Sequence, residues 1–294
     1  MRAAAAALRF LQVTRLTGLA GLVGLGRAAR LAPAIAPSPF VASGQRFEAP
    51  SQRGLAFLHV GCIMGIAFPG VHRATVRLLQ RGGISVVAPR GQGCCGAIAL
   101  HDGDPDFARE LAKRNIEAFE RSEADVYVVN AAGCGSALKD YADLFAEDPQ
   151  WRERARNFTA RVRDATEVLD ALDLGEAAGS VDAAVTYQDA CHLVHAQRVA
   201  GAPRRLLKRI PGLRLVEMEE SALCCGSAGT YNLTHPAMAD RLARRKIDAI
   251  SRTGATIVAT ANPGCAMQIA AALRDVRGRV AVKHVVELLD DVYR

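Results

Sequence analysis

A chain of 294 residues, 50% hydrophobic and only 5% aromatic, is long enough for two domains of about 100 to 150 residues that each bury a core without disulfide staples. The formal charge of +7 suggests an acidic partner until it is divided along the chain: residues 1–53 hold seven Arg against Glu48, net +6, which leaves +1 for residues 54–294. The folded region therefore lacks the basic stripe interleaved with aromatics that nucleic-acid binding needs, and no apolar run approaches the roughly 20 residues that cross a bilayer.

Residues 1–53 are expected to form a basic N-terminal linker or helix. Arg9, Arg15, Arg27 and Arg30 surround the apolar run Leu16 to Leu25, and a helix through this stretch ends near Pro33, Pro37 and Pro39. Two other readings compete, a secretory signal with a loose cleavage site at residues 32–36 and an Arg-rich, acid-poor transit peptide. Export would push thiols toward disulfides, which favours the linker for a chain with eight cysteines.

From residue 54 onward short β-rich runs alternate with helical ones. Leu55 to Val60, Ile84 to Ala88 and Val126 to Val129 fit strands, with helices at Pro69 to Arg81 and Pro105 to Arg121 between them. A charged, helical segment over residues 151–180 is expected to connect this first domain (54–150) to a second (181–294). The second repeats the order through Ala183 to Tyr187, Ala202 to Ile210, Arg214 to Met218, Pro236 to Ser251 and Thr256 to Thr260, then closes with a strand, Val280 to Lys283, and a helix, Val285 to Val292. Such alternation implies an α/β fold of two tandem duplicated parallel-sheet domains.

The eight cysteines carry the duplication into chemistry. Cys62 is followed after 31 residues by Cys94 and Cys95 and after 38 more by Cys134; Cys191 is followed after 32 by Cys224 and Cys225 and after 39 by Cys265. Matching cysteines lie 129 to 131 residues apart, and four thiols per repeat is the count of a tetrathiolate metal site. Each follows an expected strand, so all should gather at the carboxyl edge where βα loops build sites in open sheets. Adjacent cysteines diverge on a strand or a helix, so each pair needs an irregular turn to share one centre. Gly93, Gly96 and Gly226 can supply it, with backbone N–H groups available to sulfur; Gly61, Gly133, Gly135 and Gly264 stand beside three of the isolated cysteines.

Buried free thiols and structural disulfides fit this regular placement less well than a metal does. A 4Fe-4S cluster and zinc both accept four thiolates, and spacing does not separate them. Zinc sites usually use Cys-x2-4-Cys knuckles, which this chain lacks, so iron-sulfur is preferred and zinc is the alternative. His101, His192, His195, His235 and His284 lie near the expected loops and could ligate or move protons; loop or capping roles are the simpler expectation, and Asp189 could cap a helix.

These residues resemble a known family. The doubled pattern is similar to the cysteine-rich CCG domain of the heterodisulfide reductases. Leu223-Cys224-Cys225-Gly226-Ser227-Ala228-Gly229-Thr230-Tyr231, Leu233-Thr234-His235-Pro236, Thr260-Ala261-Asn262-Pro263-Gly264-Cys265 and Gly93-Cys94-Cys95-Gly96-Ala97 resemble the iron-sulfur subunits of bacterial glycolate oxidase over about residues 54–294. The resemblance implies a 4Fe-4S electron-transfer subunit with Cys62, Cys94, Cys95, Cys134, Cys191, Cys224, Cys225 and Cys265 as ligands and Gly96 and Gly226 shaping the cofactor loops. It implies that the chain catalyses nothing alone and relays electrons from a flavoprotein subunit, which oxidises glycolate to glyoxylate, toward a quinone, on the cytoplasmic side with at most peripheral membrane contact. Lactate-utilisation and heterodisulfide-reductase-like subunits, or a zinc-binding structural module, are the alternatives.

The pattern departs from the family in two places. Heterodisulfide reductase repeats end in Cys-x-x-Cys, whereas Ala137 and Gln268 stand here, leaving four ligands per repeat. The N-terminal ferredoxin-like module of glycolate oxidase subunits has no counterpart before Cys62, which suggests a shortened or mis-started product, or a module supplied elsewhere.

Overall fold

The computed structural model describes residues 2–14, 24–274 and 280–294. Most of the apolar run Leu16 to Leu25 lies outside the described residues. Among the described residues nine strands form two sheets: β1 (Gln45–Phe47), β2 (Gly54–Leu58), β3 (Ile84–Ala88), β4 (Val126–Val129) and β5 (Val162–Asp164) in the order β1-β3-β2-β4-β5, and β6 (Ala183–Tyr187), β7 (Leu213–Leu215), β8 (Ile257–Thr260) and β9 (Ala281–His284) in the order β7-β6-β8-β9. Every pairing is parallel except β1 with β3. The expected duplicated α/β architecture is borne out, since β3-β2-β4-β5 and β7-β6-β8-β9 have the same connectivity.

Two short strands were not expected. Residues 45–47 pair antiparallel on the β3 edge, with Gln45 opposite Ala88, inside the stretch expected to be linker or helix. Val162–Asp164 lies in the expected helical connector and adds parallel to β4. Each is three residues long and is defined by the sheet edge it joins, a context local periodicity does not encode. The N-terminal segment contributes helices Arg2–Val13 and Gly26–Leu31 and is tied to both halves: Phe40 N donates to Gly65 O at 2.8 Å and Arg27 Nε to Asn232 O at 2.6 Å.

Apolar side chains at the sheet centres explain the packing. Phe57, Leu58, Tyr127, Val128 and Val129 are fully buried, and Phe57 stacks on Tyr127 at 4.4 Å between ring centroids. The two halves are interlocked by their closing helices. Val285–Tyr293, which follows β9, packs along Pro69–Arg81 of the first half; Ala165–Ala171, which follows β5, packs along Gly201–Lys208 of the second. Matching ion pairs fix both contacts, Arg77 Nε to Asp290 at 2.9 Å and Arg205 Nε to Asp170 at 2.8 Å. This exchange turns the carboxyl edges of the two sheets toward each other.

Candidate metal centre

Each cysteine leaves the carboxyl end of a strand. Cys62 precedes the short helix Ile63–Ala67 after β2, Cys94 and Cys95 lie in the loop after β3, and Cys134 sits in the first turn of helix Ala132–Lys139 after β4. The second half repeats this: Cys191 opens into a π-helical turn, His192–Ala196, Cys224 and Cys225 lie in the loop after β7, and Cys265 sits in the first turn of Pro263–Leu273. All eight are free thiols. All eight line one cavity of about 380 Å³ between the halves, with Ile63, Ile66, Ile98 and Met267 adding apolar wall.

Within each half the sulfurs form a hydrogen-bonded chain, Cys62 to Cys94 to Cys95 to Cys134 and Cys191 to Cys224 to Cys225 to Cys265. Cys62 Sγ and Cys94 Sγ are 3.7 Å apart. Alternate members take the negative charge: hydrogen bonds from Cys62 and then Cys95 hold Cys94 down to about 2, and those from Cys191 and then Cys225 do the same for Cys224. Cys134 is lowered to about 6 by Cys95 and, less strongly, by His59; Cys265 is lowered by Cys225 and less strongly by Asn262. Donation to these thiolates and burial push Cys62, Cys95, Cys191 and Cys225 up. Each tetrad is thus built to carry thiolate charge.

Local sequence explains the turns. Gly96 and Gly226 follow the cysteine pairs at φ of +80° and +91°, a region costly to residues with a Cβ. A Cβ on Gly226 would lie 2.4 Å from Ala239 O. Gly226 N donates to Cys224 Sγ at 3.4 Å. In the first half Asn115 braces the loop, accepting from Gly93 N at 2.9 Å and donating to Cys94 O at 3.0 Å, while Tyr141 Oη donates to Cys95 O at 2.9 Å.

Other residues singled out in the sequence fall differently. Gly133 N donates to Asn262 Oδ1 at 3.0 Å and not to sulfur. Asp189 caps no helix; both its oxygens receive Arg204, at 2.8 and 2.7 Å, which anchors the loop before Cys191. His101 and His192, from opposite halves, line the cavity with ring centroids 6.0 Å apart. His195 and His235 are solvent-exposed. His284 is buried and caps helix Val285–Tyr293, accepting from Val286 N at 3.1 Å.

Sequence reasoning missed His59, Asn262 and Lys246. His59 is buried with Nδ1 2.6 Å from Tyr127 Oη and its ring beside Cys134. Asn262 donates to Cys265 Sγ at 3.4 Å. Lys246 is 1% exposed and donates to Glu220 O and Ser221 O at 2.7 and 2.9 Å. Among the described residues no carboxylate pairs with its ammonium; burial pushes it below the usual lysine value, opposed first by the charge of the Cys225 and Cys265 sulfurs. A signal was available: Lys246 falls on the buried stripe Ala239, Ala243, Ile247 and Ile250 of its helix, where an unpaired cation is costly unless an anion lies beneath it.

The donor set therefore suits an anionic metal-thiolate group: soft sulfur ligands in fours, N–H donors to sulfur, and a buried cation that such a group would neutralise. Among the described residues no three His, Cys, Asp or Glu side chains converge on one point as ligands of a single ion do.

Comparison with known proteins adds the following. The family model described as "Cysteine-rich domain", CCG, matches twice, over residues 56–139 and 185–270. The chain is 39% identical over 244 residues to a probable glycolate oxidase iron-sulfur subunit of Bacillus subtilis, covering 82% of this chain and 55% of that protein. It is 33% identical over 234 residues to lactate utilization protein A of Shouchella clausii, covering 79% and 97%. The chain thus spans about half the length of the glycolate oxidase subunit it matches. A hypothetical protein from Helicobacter pylori of known crystal structure shares the fold, with a TM-score of 0.61 at 9% identity over 87% of this chain and 52% of that one.

Proposed function

Because this chain belongs to the CCG cysteine-rich domain family, with both of its repeats matched, we propose that it is the iron-sulfur subunit of a complex that oxidises a 2-hydroxy acid, glycolate in the first instance. The observation that carries the reading is the convergence of two four-cysteine chains on one cavity. Cys62, Cys94, Cys95 and Cys134 would hold one 4Fe-4S cluster, and Cys191, Cys224, Cys225 and Cys265 a second. Bound clusters supply one-electron carriers.

The chain's own residues set the conditions for that chemistry. The hydrogen-bonded thiols place charge on Cys94 and Cys224 before any metal arrives. Gly226 N–H and Asn262 Nδ2–H donate to sulfur, which stabilises thiolate ligands. The apolar wall of Ile63, Ile66, Ile98 and Met267 limits water at the cavity. Oxidation of glycolate to glyoxylate is assigned to a flavoprotein partner, which passes electrons singly to this subunit. Among the described residues no helix is long and apolar enough to cross a membrane, and eight free thiols suit a reducing compartment such as the cytoplasm.

Lactate is the second substrate reading, favoured by the match across 97% of lactate utilization protein A. Co-expression with a flavoprotein partner, followed by dye reduction with glycolate and with L-lactate, tests both. Faster turnover of glycolate, dependent on Cys94 and Cys224, supports the first reading; turnover of lactate alone replaces it with the second. Turnover by the flavoprotein at an unchanged rate when Cys94 and Cys224 are both replaced by Ser, or when this chain is left out, overturns the electron-transfer role.

A further inference from the structure

The two tetrads have different surroundings, and the difference is one full charge. Helices Pro105–Glu120 and Pro236–Arg252 are counterparts in the duplication. Ten residues after the opening proline, the first carries Asn115 and the second Lys246. Both side chains are buried and both bind loop carbonyls near the cysteine pair, Asn115 to Cys94 O and Lys246 to Glu220 O and Ser221 O. The first tetrad thus has a neutral amide at this place and the second an ammonium with no carboxylate partner among the described residues.

Reduction adds one negative charge to a cluster, so a buried cation nearby favours the reduced form. The first tetrad has an opposing influence in His59. Its Nδ1 lies 2.6 Å from Tyr127 Oη, and its ring lies beside Cys134. A neutral N–H dipole also favours the reduced form, but its field falls off faster with distance than that of a whole charge, and water does not screen an ammonium that is 1% exposed.

We infer that Lys246 makes the cluster of Cys191, Cys224, Cys225 and Cys265 the more easily reduced of the two, so that a single electron entering the chain comes to rest on the second half. This rests on the proposal that both tetrads hold clusters. The step is a plain electron transfer: the reduced flavin of the partner, or dithionite in the test, gives up one electron, the second cluster gains it, and no bond or proton changes hands. Lys246 touches neither substrate nor reacting atoms and acts as a positioning charge.

The test is a redox titration of the full chain followed by electron paramagnetic resonance, with iron counted in each sample. In the wild type the higher-potential signal should be the one lost in Cys224→Ser and kept in Cys94→Ser. Lys246→Met, which keeps the length and removes the charge, should lower that potential and leave the other in place, while Lys246→Arg should stay near the wild type. If the higher-potential signal is the one lost in Cys94→Ser, or if Lys246→Met carries both clusters at unchanged potentials, the inference is wrong and the cluster assignment stands. If the wild type, purified and reconstituted without air, binds no iron in the second tetrad, the cluster reading fails and takes this inference with it. The wild-type assignment decides the matter even if Lys246→Met does not fold.

Discussion

Asp164 and His284 occupy the same post in the two halves. Each ends the last strand of its sheet, caps the closing helix and completes a capping box with the Glu three residues on, Glu167 or Glu287. Burial acts on them in opposite directions on the proton scale: it raises Asp164 from 3.8 to about 6 and lowers His284 from 6.5 to about 4.

Stability should respond to pH through both groups. Between pH 3.8 and about 6 the folded state keeps a proton on Asp164 that the unfolded chain has released, so this group's contribution falls as pH rises through that window. His284, and His72, which is lowered to about 3 by burial, stay neutral in the folded state where the unfolded chain is protonated, so their contribution is lost as pH falls below 6.5. The effects oppose each other in the wild type. Asp164→Asn keeps a good cap and removes one of them, so its denaturant-measured stability should climb more steeply from pH 4 to 6, with a difference accumulating to about 3 kcal/mol. Parallel stability curves for the two proteins would show that Asp164 is not held protonated.

The cysteine turns should be unequal in tolerance. Gly96→Ala places a Cβ 3.3 Å from Ala108 Cα at a φ of +80°, a strain of about 1 to 2 kcal/mol. Gly226→Ala adds to a similar strain a 2.4 Å approach to Ala239 O, which belongs to helix backbone and cannot turn aside. Thermal unfolding of iron-free protein should show a much larger loss for Gly226→Ala than for Gly96→Ala, and equal losses would mean that the second loop relaxes freely.

The interlocking helices should depend unequally on their ion pairs. The Asp290 side chain is 5% exposed against 14% for Asp170, so removing its arginine strands a more deeply buried carboxylate. Arg77→Ala is expected to cost about 1 to 3 kcal/mol and Arg205→Ala less, as read by urea unfolding. Arg77→Ala should also weaken metal retention by both tetrads, since the helix exchange holds the sheet edges face to face.

Much of the candidate site was legible because cysteine spacing and βα alternation are local signals. They placed Cys62, Cys94, Cys95 and Cys134, and their counterparts, at strand ends, and Gly96 and Gly226 at the turns between strand and helix. The single cavity was not legible, since it depends on Val285–Tyr293 and Ala165–Ala171 crossing between halves, a long-range exchange that leaves no periodic mark. β1 and β5 were missed because three residues carry too little pattern. His59 and Lys246 were overlooked among ordinary strand and helix residues, although a cation within the buried helical stripe of residues 239–250 is a physical oddity visible in the sequence.

The central claim is that the two cysteine chains hold two iron-sulfur clusters, and metal analysis with a visible spectrum of anaerobically purified protein tests it most directly. The expected result is brown protein with about four iron and four sulfide per tetrad, reduced by about half in Cys94→Ser and likewise in Cys224→Ser. Colourless protein with about one zinc per tetrad would contradict it.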